Sequence, residues 1–351
     1  MTSADAIHMR AAIALGRRGL GQTWPNPSVG CVIVANGRVV GRGRTAPGGR
    51  PHAETQALAM AGEGARGATA YVTLEPCSHQ GQTPPCADAL IAAGIARVVV
   101  ACDDPDPRVD GRGLARLRAA GVAVETGLLA GAAMETVAGF VSRVQRGRPL
   151  VTLKLSSTLD GRIATATGES RWITGPAARR ATHLFRAQHD AILVGIGTIL
   201  ADDPALTCRL PGLRNPVRVV LDRALRTPSR AQVLDDSAPT WLIHDGSGWR
   251  ADATLLTAPA TPDGLDPAAA LRALGDKGLT SVLVEGGAAV AGSLIRAGLV
   301  DRILWFHAPA VMGDDGWPAL RLASGPMAEL RRFTHVRHER LGDDMLTVLA
   351  A

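Results

Sequence analysis

A chain of 351 residues with 46% hydrophobic and 20% charged residues has the composition of a globular protein and is long enough for two cores. Its net charge of +6 comes from 38 basic residues, of which only Lys154 and Lys277 are lysine; they form no dense block, and aromatic residues are 3%, which argues against a nucleic-acid groove of clustered cations and stacking rings. No run approaches the ~18 uninterrupted apolar residues of a membrane span, and five cysteines, an odd number, argue against a disulfide framework, so the expectation is a cytoplasmic protein with reduced thiols and neither a membrane nor a nucleic-acid partner.

The opening segment MTSADAIHMRAAIALGRRGLGQ reads as an amphipathic helix, because Arg10, Arg17 and Arg18 interrupt what would otherwise be a signal-peptide core. VGCVIVANGRVVGRG is two β-rich runs about Asn36-Gly37, a strong hairpin signal. HAETQALAMAGEG has helical spacing, ATAYVTLEP reads as a buried strand, CADALIAAG as a helix and ARVVVACDD as the next strand. Helix (about 112 to 120), strand (122 to 126) and helix (about 129 to 144) follow, so this half is an α/β layer structure. Cys31, Cys102 and Cys208 lie in or beside apolar runs and are expected in the core.

The segment QRGRPL, residues 145 to 150, places a domain boundary near residue 147, giving domains 1–147 and 148–351. The second half alternates strands LVTLKLS, AILVG, VRVVLD, TWLIHD, SVLVEGG, DRILWFHAP and MLTVLA with helices such as AARRATHLFRAQ and AAVAGSLIRAG. Residues 257 to 267, TAPATPDGLDP, read as a loop by composition.

The chemistry concentrates in EPCSHQGQTPPC, residues 75 to 86. Nine steps of 100° would put Cys77 and Cys86 on opposite faces of one helix, and Pro84 and Pro85 forbid a continuous one. The arrangement expected is Cys77 on the loop after a strand and Cys86 in the first turn of a helix, whose N-terminus favours its thiolate. Upstream, PHAE places His52 and Glu54 at the start of another helix, the imidazole able to bind a metal and the carboxylate to face a water on it. His-x-Glu followed by Pro-Cys and a second Cys is a zinc-deaminase signature. Structural thiols or a structural zinc with a fourth ligand are the alternatives; His79 could be that ligand, but its Gly-flanked loop suits substrate contact better.

These residues resemble a known family, the bifunctional pyrimidine deaminase/reductases of riboflavin biosynthesis. TWPNPSVGCVIV, PHAE and EPCSHQGQTPPC look like the deaminase half; LKLSSTLDGRIATATGESRWITG, VGIGTILADDPALTCR and VEGGAAVAGSLI look like the reductase half. The resemblance implies a cytidine-deaminase-like three-layer domain followed by a dihydrofolate-reductase-like domain. It implies zinc on His52, Cys77 and Cys86, Glu54 as proton shuttle, and substrate contact at Asn26. The absence of GxGxxG after a strand leaves a Rossmann fold unindicated, and the family instead implies NADPH held by Ser156, Trp172, Thr198, Asp202, Arg223 and the stretch Gly287, Ala288, Ala289, Val290, Ala291, Gly292 and Ser293. Lys154, Ser170, Arg186, Leu206, Arg209 and Glu285 would touch substrate, with Arg186 and Arg209 as phosphate forks. The activity implied is hydrolytic deamination of a diaminopyrimidine ribosyl phosphate followed by reduction of its ribose to a ribityl chain, in a homo-oligomer formed through the reductase domain. Two positions depart from the family pattern: Thr45, where a His is common, and Ala310, where a Lys is usual.

Overall fold

Gly147, at φ 65°, ends the last helix of the first half in the left-handed conformation that favours glycine. The chain divides there: the computed structural model, which describes residues 2–80 and 84–351, separates into Met1–Gly147 and Arg148–Ala351. Among the described residues, no helix is long and apolar enough to cross a membrane.

The first unit runs α1 (Ser3–Arg17), β1 (Gly30–Ala35), β2 (Arg38–Arg44), α2 (Ala53–Ala61), β3 (Thr69–Val72), α3 (Cys86–Ala92), β4 (Arg97–Val100), α4 (Arg112–Ala119), β5 (Ala123–Thr126) and α5 (Ala130–Arg146). Asn36 and Gly37 both have positive φ, as a tight hairpin turn between β1 and β2 requires. The sheet order is β2-β1-β3-β4-β5, with β1 antiparallel to both neighbours and β3, β4 and β5 parallel. Helices cover both of its faces. A Cβ on Gly30 would strike the Ala12 carbonyl of α1, whereas Cβ atoms on Gly41 and Gly43, paired with Ile33 and Cys31, would strike the Ala57 and Ala53 carbonyls of α2. Because neighbouring strand positions point to opposite faces, α1 and α2 lie on opposite sides, and a three-layer domain results. Cys31 and Cys102 belong to its core.

The second unit runs β6 (Leu150–Ser157), β7 (Arg162–Ala164), α6 (Pro176–Gln188), β8 (Ala191–Gly195), α7 (Ile196–Asp202), β9 (Val217–Leu221), β10 (Thr240–His244), β11 (Thr254–Thr257), β12 (Ala260–Thr261), β13 (Gly264–Leu265), α8 (Pro267–Asp276), β14 (Ser281–Val284), α9 (Ala288–Arg296), β15 (Arg302–His307), β16 (Trp317–Pro318), β17 (Thr334–Leu341) and β18 (Asp344–Ala350). Its main sheet has the order β11-β10-β9-β8-β14-β6-β15-β18-β17. The first seven strands of that order are parallel, and β18 and β17 add antiparallel pairings. Buried on both faces, the central strands are almost continuously apolar. Arg218 in β9 interrupts this pattern: it is fully buried, and its guanidinium is satisfied by Asp235 Oδ1 at 2.6 Å, Thr240 Oγ1 at 3.0 Å and carbonyls of the 232–238 segment.

The loop expected at 257–267 is corrected. Thr257 ends β11, β12 and β13 form a small hairpin, and α8 begins at Pro267, capped by Asp266, whose carboxylate accepts from the Ala268 and Ala269 amides at 2.8 and 3.1 Å. Asp-Pro is an N-cap followed by an N1 proline, a start signal that the Pro- and Gly-rich composition masked. β17, THVRHERL, carries no apolar alternation; it is the exposed edge of the sheet, held by pairing to β18.

Candidate active sites

His52 is the residue before α2, Cys77 follows β3 on a loop, and Cys86 opens α3. Their donor atoms lie within 4.8 Å of one another: His52 Nδ1 is 3.7 Å from Cys77 Sγ and 3.4 Å from Cys86 Sγ. With Zn–S near ~2.3 Å and Zn–N near ~2.0 Å, two corners of a tetrahedron stand about 3.5 Å apart, so the set fits zinc with one position to spare. The sequence expectation about the helix N-terminus is corrected in one respect. The Cys86 amide donates to Cys77 Sγ at 3.4 Å, so the first N–H of α3 supports the partner's sulfur, not its own.

The electrostatics follow from that crowding. Hydrogen bonding from the Cys86 thiol, and from His52 and the Cys86 amide, brings the Cys77 thiol down to about 4 against the opposing effect of burial. Its thiolate, burial and Glu54 together push the Cys86 thiol far up. Glu54, 4% exposed, is raised to about 7 by burial, with the His52 charge pulling the other way. Two thiols and a buried carboxyl cannot all ionise side by side unless a cation offsets them, and a divalent metal is the cation this donor set suits.

A cavity of about 150 Å³ opens beside the triad, lined by Asn26, Thr45, Arg50, His52, Glu54, Cys77, His79, Asp104, Asp106, Arg108 and Phe140. Asn26 Nδ2 donates to the Gly49 carbonyl at 2.8 Å; Gly49, at φ +87°, has no room for a Cβ, which would fall 2.7 Å from that amide. Thr45 Oγ1 accepts from the Val29 amide at 3.0 Å and is buried, so this departure from the family pattern braces β1 with its hydroxyl. Glu75, also buried, gathers the floor of the cavity. Its carboxylate accepts from the amides of Gly113 (2.9 Å), Gly111 (3.0 Å), Leu114 (3.2 Å) and Asp104 (3.4 Å), tying the Cys77 loop to the start of α4. Burial, with Asp106 and Glu75 nearby, raises the Asp104 carboxyl to about 6.

In the second unit, Arg186 of α6 meets Glu285, just past β14, in a buried two-pronged pair with Nε–Oε1 2.7 Å and Nη2–Oε2 2.9 Å, while Nη1 donates to the Thr207 carbonyl at 2.9 Å. Burial raises the Glu285 pKa, but the Arg186 charge and hydrogen bonds outweigh it and hold the carboxyl at about 2. Lys154 on β6 faces the same group: loss of hydration lowers its pKa, opposed by Glu285, and its Nζ stands 5.9 Å over the Phe306 ring. Val290, in the first turn of α9, fills the space left by Gly195 and Gly286, where added Cβ atoms would sit 2.8 and 3.0 Å from it. The turns after β8 and β14 are thereby locked together, with Thr198 beside Gly287.

Residues 2–102 match the cytidine and deoxycytidylate deaminase zinc-binding region, and residues 149–347 match the RibD C-terminal domain. The riboflavin biosynthesis protein RibD of Escherichia coli is 45% identical over 95% of this chain and 96% of its own length. The chain belongs to the RibD family. RibD of Bacillus amyloliquefaciens is 43% identical over 97% of this chain and 95% of its own. The solved structure of Acinetobacter baumannii RibD (form 1) matches with a TM-score of 0.90 at 39% identity, covering 99% of this chain and 98% of that one. The diaminohydroxyphosphoribosylaminopyrimidine deaminase/5-amino-6-(5-phosphoribosylamino)uracil reductase of Thermotoga maritima gives 0.90 at 35% identity over 99% and 98%. Like the RibD proteins, this chain is a bifunctional deaminase and reductase of riboflavin biosynthesis, with zinc and NADPH as its cofactors.

Of the site residues expected from sequence, His52, Glu54, Cys77, Asn26 and His79 line one cavity, and Cys86 joins the triad beside it. In the RibD C-terminal domain, Ser156 lies on β6, Thr198 and Asp202 on α7, Arg223 just past β9, and Gly287 to Ser293 at the start of α9. Ser170 and Trp172 lie on the connection before α6. Trp172, 67% exposed, has the Arg179 guanidinium 4.6 Å from its ring centre. Arg186 gives Nε and Nη2 to Glu285 and Nη1 to the Thr207 carbonyl, whereas Arg209 is an exposed residue. Leu206 is buried among Ile192, Val194 and Ile199. Ala310, where the family usually has Lys, acts through its backbone: its amide donates to the Ala308 carbonyl and its carbonyl accepts from the Leu159 amide, both at 2.8 Å. Glu75, Asp104, Asp106 and Arg108 were not singled out from the sequence. The available signal was an acidic run, DDPDP, directly after a buried strand, where sites in α/β sheets gather.

Proposed function

We propose that Met1–Gly147 deaminates 2,5-diamino-6-ribosylamino-4(3H)-pyrimidinone 5′-phosphate and that Arg148–Ala351 then reduces the ribosyl group with NADPH, giving 5-amino-6-ribitylaminouracil 5′-phosphate. The observation that carries this reading is the convergence of His52, Cys77 and Cys86 with a buried Glu54 beside the same cavity. Those three side chains would hold the zinc, which when bound supplies a water of pKa lowered toward ~7. Glu54 moves two protons in turn: it passes one from the attacking water to the ring nitrogen, then a second from the hydroxyl so added to the ring carbon to the amine, which leaves as ammonia. Burial suits it to this, since a carboxyl held near neutrality both gains and gives up a proton readily. Asn26 and His79 orient the pyrimidine.

NADPH supplies a hydride in the second reaction. The amides of the first turn of α9, at Ala288, Ala289 and Val290, suit a phosphate of the cofactor, with the rest of the stretch from Gly287 to Ser293 and Ser156, Trp172, Thr198, Asp202 and Arg223 along its course. Lys154, Ser170, Arg186, Leu206, Arg209 and Glu285 form the substrate side. Because Glu285 and the Thr207 carbonyl together take Nε, Nη2 and Nη1 of the buried Arg186, Lys154 and Arg209 are the cations left to face a phosphorylated sugar. A homo-oligomer formed through this unit is supported by exposed Val311, Trp317, Leu322, Met327, Leu330, Val336 and Met345, and by the open edge of β17. Cysteines that suit metal binding (Cys77, Cys86) or lie buried (Cys31, Cys102, Cys208) support a reducing, cytoplasmic setting.

The test uses the purified protein with the diaminopyrimidine phosphate, following ammonia release and NADPH consumption together. Both are expected, in equal amounts. Ammonia without NADPH loss would overturn the role given to the second unit, and NADPH loss without ammonia the role given to the first.

A further inference from the structure

The reaction proposed for the first unit acts on a ribosyl phosphate, and a phosphate bound at the mouth of a site calls for a cation. The first 147 residues contain no lysine, since the chain's two are Lys154 and Lys277, and the loop from Cys77 to Cys86 reads CSHQGQTPPC, with no arginine. The arginines that line the cavity are Arg50 and Arg108. Arg50 stands two residues before His52, on the segment that carries the metal-ligating imidazole. Arg108 comes from the connection between β4 and α4, and its side chain is 68% exposed although Asp104, Asp106 and Val109 around it are buried. It stands at the rim while its neighbours form the wall.

Its position is fixed. Asp106 accepts from the Arg108 amide at 2.9 Å and grips the guanidinium through Nε (3.0 and 3.1 Å) and Nη2 (2.5 Å); the Asp106 amide in turn donates to Asp104 Oδ1 at 2.9 Å. The Nη1 group has no partner among the described residues. A guanidinium pinned along one edge presents its other edge with little rotamer freedom left to lose, the condition in which arginine reads phosphate best. In the same cavity the buried Nδ1 of His79 also lacks a partner, so the wall offers a second polar atom to a ligand.

We propose that Arg108, positioned by Asp106, binds the 5′-phosphate of the deaminase substrate and sets the preference of this site for phosphorylated over dephosphorylated pyrimidine ribosides. The inference rests on the ribosyl phosphate being the substrate of the first unit. The experiment compares ammonia release from the diaminopyrimidine ribosyl phosphate and from the same compound after phosphatase treatment, for the wild type, R108Q and R108K. In R108Q the ratio of kcat/KM for the phosphorylated over the dephosphorylated compound is expected to fall about 10- to 100-fold, through KM, and R108K is expected to recover part of it. Unchanged zinc content and NADPH-dependent reduction of the deaminated phosphate show that the variants are folded. An unchanged ratio in R108Q, or equal loss on both compounds, would overturn the assignment. Failure of the wild type to release ammonia would instead overturn the substrate reading itself.

Discussion

The two halves of the chain organise their chemistry differently. In the first unit three donor atoms and a carboxylate drawn from three separate segments meet within a few ångströms. In the second, the residues proposed for NADPH and substrate are spread over many elements, from Ser156 on β6 through α6 and α7 to Arg223 past β9 and the turn into α9. A small ion demands convergence, because its ligands must share one coordination sphere, whereas an extended dinucleotide is held by many weak contacts over its length. The first kind of site fails all at once when one member is lost, and the second degrades gradually.

The largest effect tests that contrast directly. Cys86→Ser is expected to lose zinc and bring ammonia release to background, with NADPH-dependent reduction of the deaminated intermediate retained; metal analysis and the two assays read this. A variant that kept its zinc would break the picture of a three-donor site. Next in size, Glu54→Gln should keep the metal and lose about 10²- to 10⁴-fold in deamination, the usual worth of a positioned acid/base. Retained activity would reassign the carboxylate to structure, and loss of zinc would make it a ligand.

The same contrast governs what could be read from sequence. His52, Glu54, Cys77 and Cys86 were legible because metal chemistry restricts residue type and spacing, and the two prolines before Cys86 announce a break and then a helix. Asn36-Gly37 was legible because few residues tolerate two successive positive φ values. Glu75 was not: a carboxylate that collects amides at positions 104, 111, 113 and 114 has no local signature, since its partners are set by tertiary packing. The partner of Arg186 was not legible either, because nothing in AARRATHLFRAQ reveals a Glu waiting 99 positions later. β17 escaped notice because an exposed edge strand buries no face and so shows no alternation.

A third prediction weighs the second unit's buried pair. Glu285→Ala leaves the Arg186 guanidinium buried without its partner, which should cost about 3–5 kcal/mol and lower the melting temperature of the second unit. Replacing both residues together, Arg186→Met with Glu285→Leu, should recover most of that stability while leaving reduction impaired. If the double variant reduces normally, the pair is scaffolding, not substrate machinery. Lys154→Arg offers a gentler probe of the same pocket: turnover is expected to fall, since a guanidinium cannot occupy the space of an ammonium over Phe306, and unchanged turnover would remove any special need for lysine there.

The smallest expected effect is on pH dependence. The Glu285 carboxyl, ordinarily near 4.5, is held at about 2 by Arg186 in spite of burial. A depressed carboxylate pKa means that the folded state binds its proton less readily than the unfolded chain. The contribution is therefore fully present above about pH 4.5 and lost as pH falls toward 2, and at ~1.4 kcal/mol per unit it amounts to roughly 3 kcal/mol. Thermal melts of the second unit between pH 5 and 2.5 should accordingly fall more steeply for the wild type than for the Arg186→Met, Glu285→Leu double variant, in which this titration is gone. Parallel slopes would mean that other carboxylates govern acid stability and that the pair matters at Arg186, through the cost of an unpaired buried charge, more than at the proton-binding group of Glu285.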